Sequence, residues 1–332
     1  MSPLLPEATA FLARCGFGAA RHEALPGDAG FRRYVRLHGG PRPALLMIAP
    51  REHEDLTPFL RLATILAQGG IRVPAILAAE HAAGLALIED FGARLYAEIL
   101  TADNLTTLYD AAVDVLARLQ AIPAPADLPA WDAPAMAAAA AATFLDWWWP
   151  AAFGEPAAVA VRAAFFAALE ALLAPLAATP TVLVHRDYFA GNLFFLAARE
   201  PARRVGVIDF QDAAHGHPGY DLVSLIEDAR RDLPEGLAGR EIARFLAARP
   251  DLAPEPFRAA CTALAAVRHV RVCGLWVRLA LRDGKPRYLA HGPRSWARLA
   301  AALAEPAAAP LADFFARFVP PERRCNPRGL AA

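Results

Sequence analysis

Two apolar segments joined by a short polar connection constrain the fold of this chain more than any other feature. Residues 193–196 and 204–210 are rich in Val, Leu, Ile and Phe, and each is too short for a buried helix. Segments of this kind are typical of strands, and the short connection favours an antiparallel hairpin. Asn192 opens the outgoing strand and Asp209 ends the returning one, so the sequence predicts that the hairpin places them side by side.

A His-Arg-Asp triplet at 185–187 lies just before this hairpin and adds a further carboxylate, that of Asp187. Two carboxylates and an amide suit a hard cation such as Mg²⁺, which keeps waters and substrate phosphates in its shell. Nothing in this set suits zinc or copper. The triplet, four residues and then Asn192, followed later by Asp209-Phe210, match the spacing of a kinase catalytic loop and metal motif. The pattern therefore predicts phosphoryl transfer, in which an aspartate accepts the proton of the acceptor hydroxyl.

Composition excludes several other classes of protein. Hydrophobic residues make up 56% and charged residues 20% of the chain, which is typical of a globular protein. The 34 basic and 34 acidic side chains balance, so no large basic surface for nucleic acid is expected. The four cysteines are far apart, as in a reducing compartment. Since no signal peptide and no uninterrupted apolar run of about 20 residues is evident, we expect a cytoplasmic protein without nucleic-acid or membrane partners.

The chain changes character near residue 90. Before it, strands are expected at 31–38 and 44–49, a helix at 55–68, and two further strands around a turn at 82–84, which together form a small antiparallel sheet. The rest is mostly helical apart from the strands at 181–185, 193–196 and 204–210. Helices are predicted at 4–20, 103–120, 134–149, 156–177, 219–231, 238–248, 254–283, 293–304 and 310–317.

Four motifs resemble the aminoglycoside phosphotransferase and choline kinase-like family of the protein-kinase-like fold. They are GDAGFRRYVRL at 27–37, LIEDFG at 87–92, VHRDYFAGNLFF at 184–195 and GVIDFQDAAHGHPGYDLVSLIEDARRD at 206–232. The chain is more similar still to the bacterial kinases that phosphorylate the anomeric hydroxyl of N-acetylmuramate and N-acetylglucosamine in peptidoglycan recycling. The likeness covers nearly the whole chain. It implies an α+β, two-lobed fold with a small β-rich nucleotide-binding N-lobe at 1–90 and a large helical C-lobe at 91–332, which holds the catalytic loop, metal site and acceptor pocket.

The resemblance also assigns roles to individual residues and implies ATP and Mg²⁺ as cofactors. Asp187 would be the catalytic base, Asn192 and Asp209 would hold magnesium, and Asp221 would be the buried aspartate that braces the catalytic loop. Nucleotide contacts would come from a loop over the phosphates and from a hinge that reads adenine through its backbone. These residues are Asp28, Ala29, Gly30, Phe31 and Arg33 in the loop, and Glu89, Asp90 and Phe91 in the hinge.

The acceptor pocket is the least determined part of the site. Asp212, Asp228 and Arg231 are its candidates, and Arg231 would pair with the lactyl carboxylate of muramic acid. The alternative for the charged segment at 227–232 is the solvated face of a helix. The tryptophan-rich segment at 146–150 suits either a platform for a sugar ring or core packing, and core packing is expected.

The chain departs from the family pattern at the nucleotide phosphates. Lys285 is the only lysine in the chain, and Met47 and Ile48 stand where kinases usually carry a lysine on the third strand. Arg32 and Arg33 are the candidates to replace its charge, and strand alternation turns only one of them toward the nucleotide. We expect that one to be Arg33. Gln211 replaces the usual glycine after Asp209-Phe210. Glu52 or Glu54 could take the place of the glutamate that usually forms an ion pair with the lysine, but without a lysine partner we expect a solvated acid.

The expected function is therefore an ATP- and Mg²⁺-dependent kinase that converts an amino sugar to its 1-phosphate. Two alternatives stay open. An aminoglycoside or choline-like aminoalcohol acceptor would need an acidic pocket, and the helical part of the chain is not markedly acidic. A nucleotide-binding pseudokinase would explain the missing lysine, but Asp187, Asn192 and Asp209 are all present.

Overall fold

The computed structural model describes residues 4–26, 31–197 and 203–330. Dense tertiary contacts group the chain into two compact units. The first unit is Met1–Ile122 with Ala190–Ala213, and the second unit is Pro123–Phe189 with Ala214–Ala332. The division into a β-rich N-lobe at 1–90 and a helical C-lobe at 91–332 stays a prediction.

Ten strands and twelve α-helices occupy the described residues. The strands are β1 (Arg21–Ala24), β2 (Arg33–His38), β3 (Ala44–Ile48), β4 (Ile76–Glu80), β5 (Leu85–Glu89), β6 (Ala130–Trp131), β7 (Val182–Val184), β8 (Leu193–Phe195), β9 (Val205–Val207) and β10 (Ala214–Gly216). The helices are α1 (Pro6–Arg14), α2 (Thr57–Gln68), α3 (Tyr96–Ile99), α4 (Leu105–Gln120), α5 (Ala133–Thr143), α6 (Trp149–Phe153), α7 (Val159–Leu173), α8 (Gly219–Ile226), α9 (Leu237–Ala248), α10 (Pro254–Leu281), α11 (Gly292–Leu303) and α12 (Ala309–Phe318).

A five-stranded antiparallel sheet in the order β1-β2-β3-β5-β4 organises the first unit. Alternation along β2 and β3 turns Val35, Leu37 and Leu46 into an apolar core that Phe11 of α1 completes. Between β4 and β5 the chain reverses at Gly84, whose φ of +65° is a conformation that glycine adopts without strain. The prediction of a small antiparallel sheet with one helix between residues 24 and 90 is therefore confirmed, whereas the edge strand β1 was not predicted.

The second unit is built around α10, which is buried along most of its 28 residues. Gly274 lets α10 approach the end of α5 closely, since a Cβ at this position would lie 2.3 Å from the carbonyl carbon of Thr143. A π-helix at Phe144–Trp148 follows α5. Within it the ring of Trp148 stacks on Phe144 with centroids 4.5 Å apart, and its Nε1 donates to the carbonyl of Cys325 at 2.9 Å. The tryptophan-rich segment thus serves core packing, as expected.

The second unit contains a three-stranded sheet in the order β6-β10-β7, of which only β7 was predicted, as the strand at 181–185. The unpredicted strands β6 and β10 have two and three residues, too few to show an alternation of polar and apolar side chains. The predicted helix at 219–231 is also shorter in the structure, because α8 ends at Ile226. Beyond it, the carboxylate of Asp228 accepts a hydrogen bond from the backbone N–H of Arg230 at 2.9 Å, a local turn that replaces helical bonding.

Two helical segments of the described chain are long and apolar enough, by length and composition alone, to cross a membrane. The most apolar part of Pro254–Leu281 is 83% buried inside the protein, whereas that of Val159–Ala178 is 28% buried. The bent pair Pro286–Leu303 and Pro306–Phe318 would give a third span if it were counted as one. The expected absence of a membrane partner accordingly stays a prediction.

Candidate active site

The two motifs singled out in the sequence contain unusual backbone conformations. Arg186 has a φ of 76° and Asp209 a φ of 65°, and among the described residues these are the only positive φ values outside glycine. A positive φ costs a residue with a side chain about 1–3 kcal/mol and persists where surrounding bonds enforce it, most often at functional sites. The two strained positions therefore lie in the two motifs that the sequence analysis identified.

The hairpin of β8 and β9 places Asn192 beside Asp209 in the first unit. Leu193 pairs with Val207, and the N–H of Ile208 donates to the carbonyl of Asn192 at 3.1 Å. The two side chains lie next to each other, with Nδ2 of Asn192 3.5 Å from Oδ2 of Asp209. The predicted adjacency is confirmed. Asp187 belongs to the second unit, so its convergence with this pair stays a prediction.

The donor set of this pair fits magnesium. Asn192 and Asp209 offer an amide oxygen and a carboxylate, and Mg²⁺ typically takes one or two protein carboxylates and completes its shell with phosphate and water. No group of three or more His, Cys, Asp or Glu side chains suited to a metal occurs in the described part of the chain. Gln211, at the position of the usual glycine, donates from Nε2 to Oδ1 of Asp209 at 2.8 Å and so orients the carboxylate.

A cavity of about 290 Å³ in the first unit opens at this pair. Residues from β2, β3, β5, α2 and the hairpin line it, and all belong to the first unit. They are Leu25, Tyr34, Arg36, Leu45, Phe59, Pro74, Ile88, Glu89, Asp90, Phe91, Gly92, Gly191, Asn192, Phe194, Ile208 and Asp209. Below the metal motif, the buried ring of Phe210 stacks on Phe59 of α2 at 5.2 Å. The cavity thus has apolar walls for a flat ring and an oxygen-rich end for a metal and phosphates.

Ion pairs fix the end of β5, where the hinge was predicted. Arg36 binds the carboxylate of Asp90 through two bonds of 2.6 and 3.0 Å and also donates to the carbonyl of Gly92 at 3.0 Å. Arg72 forms a two-bond ion pair with Glu89, one bond of which measures 2.7 Å. The side chains of Glu89 and Asp90 are therefore engaged in holding the segment, and reading of adenine by the backbone stays a prediction.

Phe91 of the hinge is held by packing. The guanidinium of Arg72 lies over its ring at 4.9 Å, and Phe194 of β8 meets it edge-on at 5.8 Å. Gly206 of β9 makes room for the ring, because a Cβ there would lie 2.6 Å from Phe91. The predicted hinge and the hairpin that carries Asn192 and Asp209 are thus packed together within the first unit.

Strand geometry does not support the choice of Arg33 for the phosphates. Tyr34 and Arg36 face the cavity, whereas Val35 and Leu37 face the apolar core. Arg33 shares the parity of the core residues and is exposed, so it points away from the cavity. The other loop contacts stay predictions. Phe31 is 59% exposed and stacks on the ring of His53 at 4.4 Å, while Asp28, Ala29 and Gly30 lie outside the described residues.

Asp221 braces the catalytic loop in the second unit, as the resemblance implied. Its fully buried carboxylate accepts hydrogen bonds from the backbone N–H groups of His185 at 2.6 Å and Arg186 at 2.9 Å. The side chain of Arg186 lies over the ring of Trp131 at 4.0 Å. The N–H of Asp187 donates to Nδ1 of His185 at 3.3 Å. The first two residues of the triplet therefore support the loop, and only Asp187 offers a carboxylate for chemistry.

Four side chains, three of them arginines, lower the pKa of Asp187. Burial pushes the pKa of Asp187 up, but Arg271 and Arg268 of α10, followed by His185 and Arg186, outweigh it, so the pKa falls below its usual range. The aspartate is thus ionised and ready to accept a proton. Sequence reasoning missed the two arginines of α10 because about 80 positions separate them from the motif. Their spacing of three on a largely apolar helix was the available signal.

The three acceptor-pocket candidates are placed differently. Asp212 is exposed, with Oδ2 3.5 Å from Nε2 of Gln211. Asp228 is 2% exposed, accepts the N–H of Arg230, and lies 3.5 Å from Nε of Arg231. Asp228 and Arg231 therefore pair with each other, and the assignment of all three to substrate stays a prediction.

The sequence matches a known enzyme family and is similar to named kinases. Residues 21–255 match the model of the phosphotransferase enzyme family. A protein of Caulobacter vibrioides named N-acetylmuramate/N-acetylglucosamine kinase is 38% identical over 95% of this chain and 96% of its own length. A protein of the same name from Pseudomonas aeruginosa is 36% identical over 83% of this chain and 82% of its own.

The fold recurs in solved kinase structures. A choline/ethanolamine kinase family protein from Mesorhizobium loti superposes with a TM-score of 0.59 at 16% identity, covering 93% of this chain and 97% of the other. At this identity the similarity shows the fold, and it confirms the predicted α+β protein-kinase-like architecture. The family match and the named relatives show more than the fold. The chain belongs to the phosphotransferase enzyme family and acts as a kinase.

Proposed function

We propose that this kinase transfers the γ-phosphoryl group of ATP to the anomeric hydroxyl of N-acetylmuramate and N-acetylglucosamine. The products are the sugar 1-phosphate and ADP, and the reaction serves peptidoglycan recycling in the cytoplasm. The names of the relatives from Caulobacter vibrioides and Pseudomonas aeruginosa support this choice of substrate. The structural observation that carries it is the charge around Asp187.

Positive charge beside the catalytic aspartate selects against cationic acceptors. Arg271, Arg268 and Arg186 all lower the pKa of Asp187, so an acceptor that approaches this carboxylate also approaches three guanidinium groups. Aminoglycosides and choline are cations and would be repelled. N-acetylglucosamine is neutral, and N-acetylmuramate carries a carboxylate that these groups attract. The amino-sugar alternative is therefore favoured over the aminoglycoside and aminoalcohol alternatives.

The residues divide the reaction between them. Asp187 accepts a hydrogen bond from the anomeric hydroxyl and takes its proton as the oxygen bonds to the γ-phosphorus and the bond to ADP breaks. Asn192 and Asp209 would hold magnesium, which supplies charge neutralisation at the phosphate oxygens. Asp221 keeps the backbone around Arg186 fixed. Catalysis therefore consists mainly of positioning and of charge stabilisation.

A release assay for ADP over a panel of acceptors tests the proposal. Wild-type protein with Mg²⁺ and ATP is offered both N-acetyl sugars, choline and an aminoglycoside. The expected result is ADP release with the sugars and a matching loss of reducing ends, because phosphorylation at the anomeric position removes the free reducing end. Turnover of choline or the aminoglycoside alone would contradict the proposal, and so would sugar turnover that leaves every reducing end free.

Asp187→Asn is the matched variant. It keeps the size of the side chain but removes its ability to take a proton, so turnover should fall by at least about 100-fold. Binding of a non-hydrolysable ATP analogue, measured by calorimetry, should stay as in the wild type, because no part of the nucleotide site has changed. Full turnover in this variant would refute the role given to Asp187.

A further inference from the structure

The nucleotide site needs a cation that the usual lysine does not supply. Met47, on β3, is fully buried and pairs across the strands with Tyr34. Lys285, the only lysine of the chain, belongs to the second unit, so the first unit contains no lysine. Within the first unit, the charge that meets the phosphates can come only from an arginine or from backbone N–H groups.

Arg32 immediately precedes β2 and lies beside a residue of the cavity. Its side chain interacts with the hydroxyl of Tyr34. Tyr34 and Arg36 both line the cavity that contains Asn192 and Asp209. The interaction with Tyr34 therefore places Arg32 next to the cavity, whereas Arg33 shares the parity of the core residues of β2.

An acid from another segment holds Arg32 in place. Its Nη2 lies 2.9 Å from Oε2 of Glu54, which precedes α2, and the two side chains are only 12% and 20% exposed. The prediction that Glu54 is a solvated acid is therefore wrong. Arg32 Nε is buried and finds no hydrogen-bond partner within the described residues, so the guanidinium keeps donor capacity beyond the ion pair.

Arg32 is also electrostatically close to the metal motif. Burial raises the pKa of Tyr34, Arg32 lowers it and Asp209 raises it, so both charged groups act on the same phenol. Asp209 is the residue that would bring magnesium and phosphates into the cavity. The ion pair with Glu54 and the interaction with Tyr34 are separate observations, and together they hold the guanidinium beside a cavity-lining residue that also senses Asp209.

We propose that the ion pair of Arg32 and Glu54 performs the task of the missing lysine and its glutamate, with Arg32 binding the nucleotide phosphates. The inference rests on the proposed use of ATP. Glu54 acts as a positioning residue that keeps the guanidinium directed at the phosphates. A planar guanidinium binds phosphate oxygens through two bonds, so it can replace the ammonium group with added directionality.

Calorimetric binding of a non-hydrolysable ATP analogue and of adenosine tests this assignment. Arg32→Gln should weaken binding of the analogue by about 10- to 100-fold, the effect expected from losing a hydrogen bond to a charged group. Adenosine, which has no phosphates, should bind as in the wild type. Arg32→Lys keeps the charge and should recover part of the affinity. Glu54→Gln should weaken the analogue less than Arg32→Gln does.

Arg33→Gln is the matched control, since it removes the same charge one residue away. It should change analogue binding less than about threefold. Equal losses for Arg32→Gln and Arg33→Gln, unchanged binding in Arg32→Gln, or an equal loss of adenosine would each overturn the assignment. Wild-type turnover of the amino sugars tests the proposed function separately, so a failure of the Arg32 assignment leaves that result standing.

Discussion

Replacing Asp221 by asparagine tests how the catalytic loop is held. The carboxylate of Asp221 accepts the backbone N–H groups of His185 and Arg186 at 2.6 and 2.9 Å, and it is fully buried. Arg186 has a φ of 76°, a conformation that needs support from its surroundings. The substitution keeps the shape of the side chain and changes only its charge and its hydrogen-bonding atoms.

The magnitude follows from these two bonds. The amide of an asparagine turns one oxygen and one NH₂ group toward the loop, so one of the two backbone N–H groups loses its acceptor. An unpaired buried N–H costs about 1–3 kcal/mol, and loss of the negative charge weakens the remaining bond as well. Burial raises the pKa of Asp221, so removing the charge returns part of the desolvation cost. Together we expect Asp221→Asn to lower the free energy of unfolding by about 2–3 kcal/mol.

Urea unfolding and steady-state kinetics measure the two consequences. With an m-value of about 3 kcal/mol per molar, the urea midpoint should fall by about 1 M. Loosening of the loop should lower kcat by about 10- to 100-fold, because small misplacements of a catalytic group are costly. Ser224→Ala is the control. Ser224 is fully buried on the same helix as Asp221, and its hydroxyl has no partner among the described residues. Removing this hydroxyl should therefore leave the urea midpoint and kcat nearly unchanged. An unchanged midpoint and kcat in Asp221→Asn would refute the bracing role.

Three further predictions concern the pH dependence of stability, the predicted hinge and the pKa of Asp187. Burial lowers the pKa of His217 from 6.5 to about 4, so between these pH values the unfolded chain binds a proton that the folded protein does not bind. The free energy of unfolding should therefore fall by up to about 3 kcal/mol as the pH drops from 6.5 to 4. Urea unfolding measured across that pH range tests this. Gly206→Ala should displace Phe91 and weaken adenosine binding measured by calorimetry, whereas unchanged binding would show that the ring can move away. Arg271→Met should raise the pKa of Asp187, so the acidic limb of the pH profile of kcat should move to higher pH. If the limb does not move, Arg271 does not influence the ionisation of Asp187.

The parts of the site that the sequence predicted are those encoded by neighbouring residues. The hairpin of β8 and β9 follows from two short apolar segments and one connection, and its geometry brings Asn192 beside Asp209 without any other part of the fold. The kinase-like motifs predicted the bracing role of Asp221, which its bonds to the backbone N–H groups of His185 and Arg186 confirm, and the catalytic role of Asp187, which stays a prediction.

Predictions that depended on which face of an element meets the core were less successful. Arg32 and Arg33 are adjacent, and alternation shows that only one faces the cavity, but it does not show which. The choice was decided by the packing of Val35 and Leu37 against α1, which fixes the parity of β2. The segment after Ile226 was likewise taken for helix because its composition suits one, whereas a side-chain bond ends α8 there.

The sequence by itself determined the family, the fold class and the adjacency of Asn192 and Asp209, since each depends on short-range spacing. Tertiary structure alone decided the electrostatic setting of these groups. Arg268 and Arg271 act on Asp187 from a helix about 80 positions away, and Arg32 meets Glu54 across 22 positions. Charges act through space and not along the chain, so the ionisation of Asp187 and the ion pair of Arg32 with Glu54 are set only when these segments fold together.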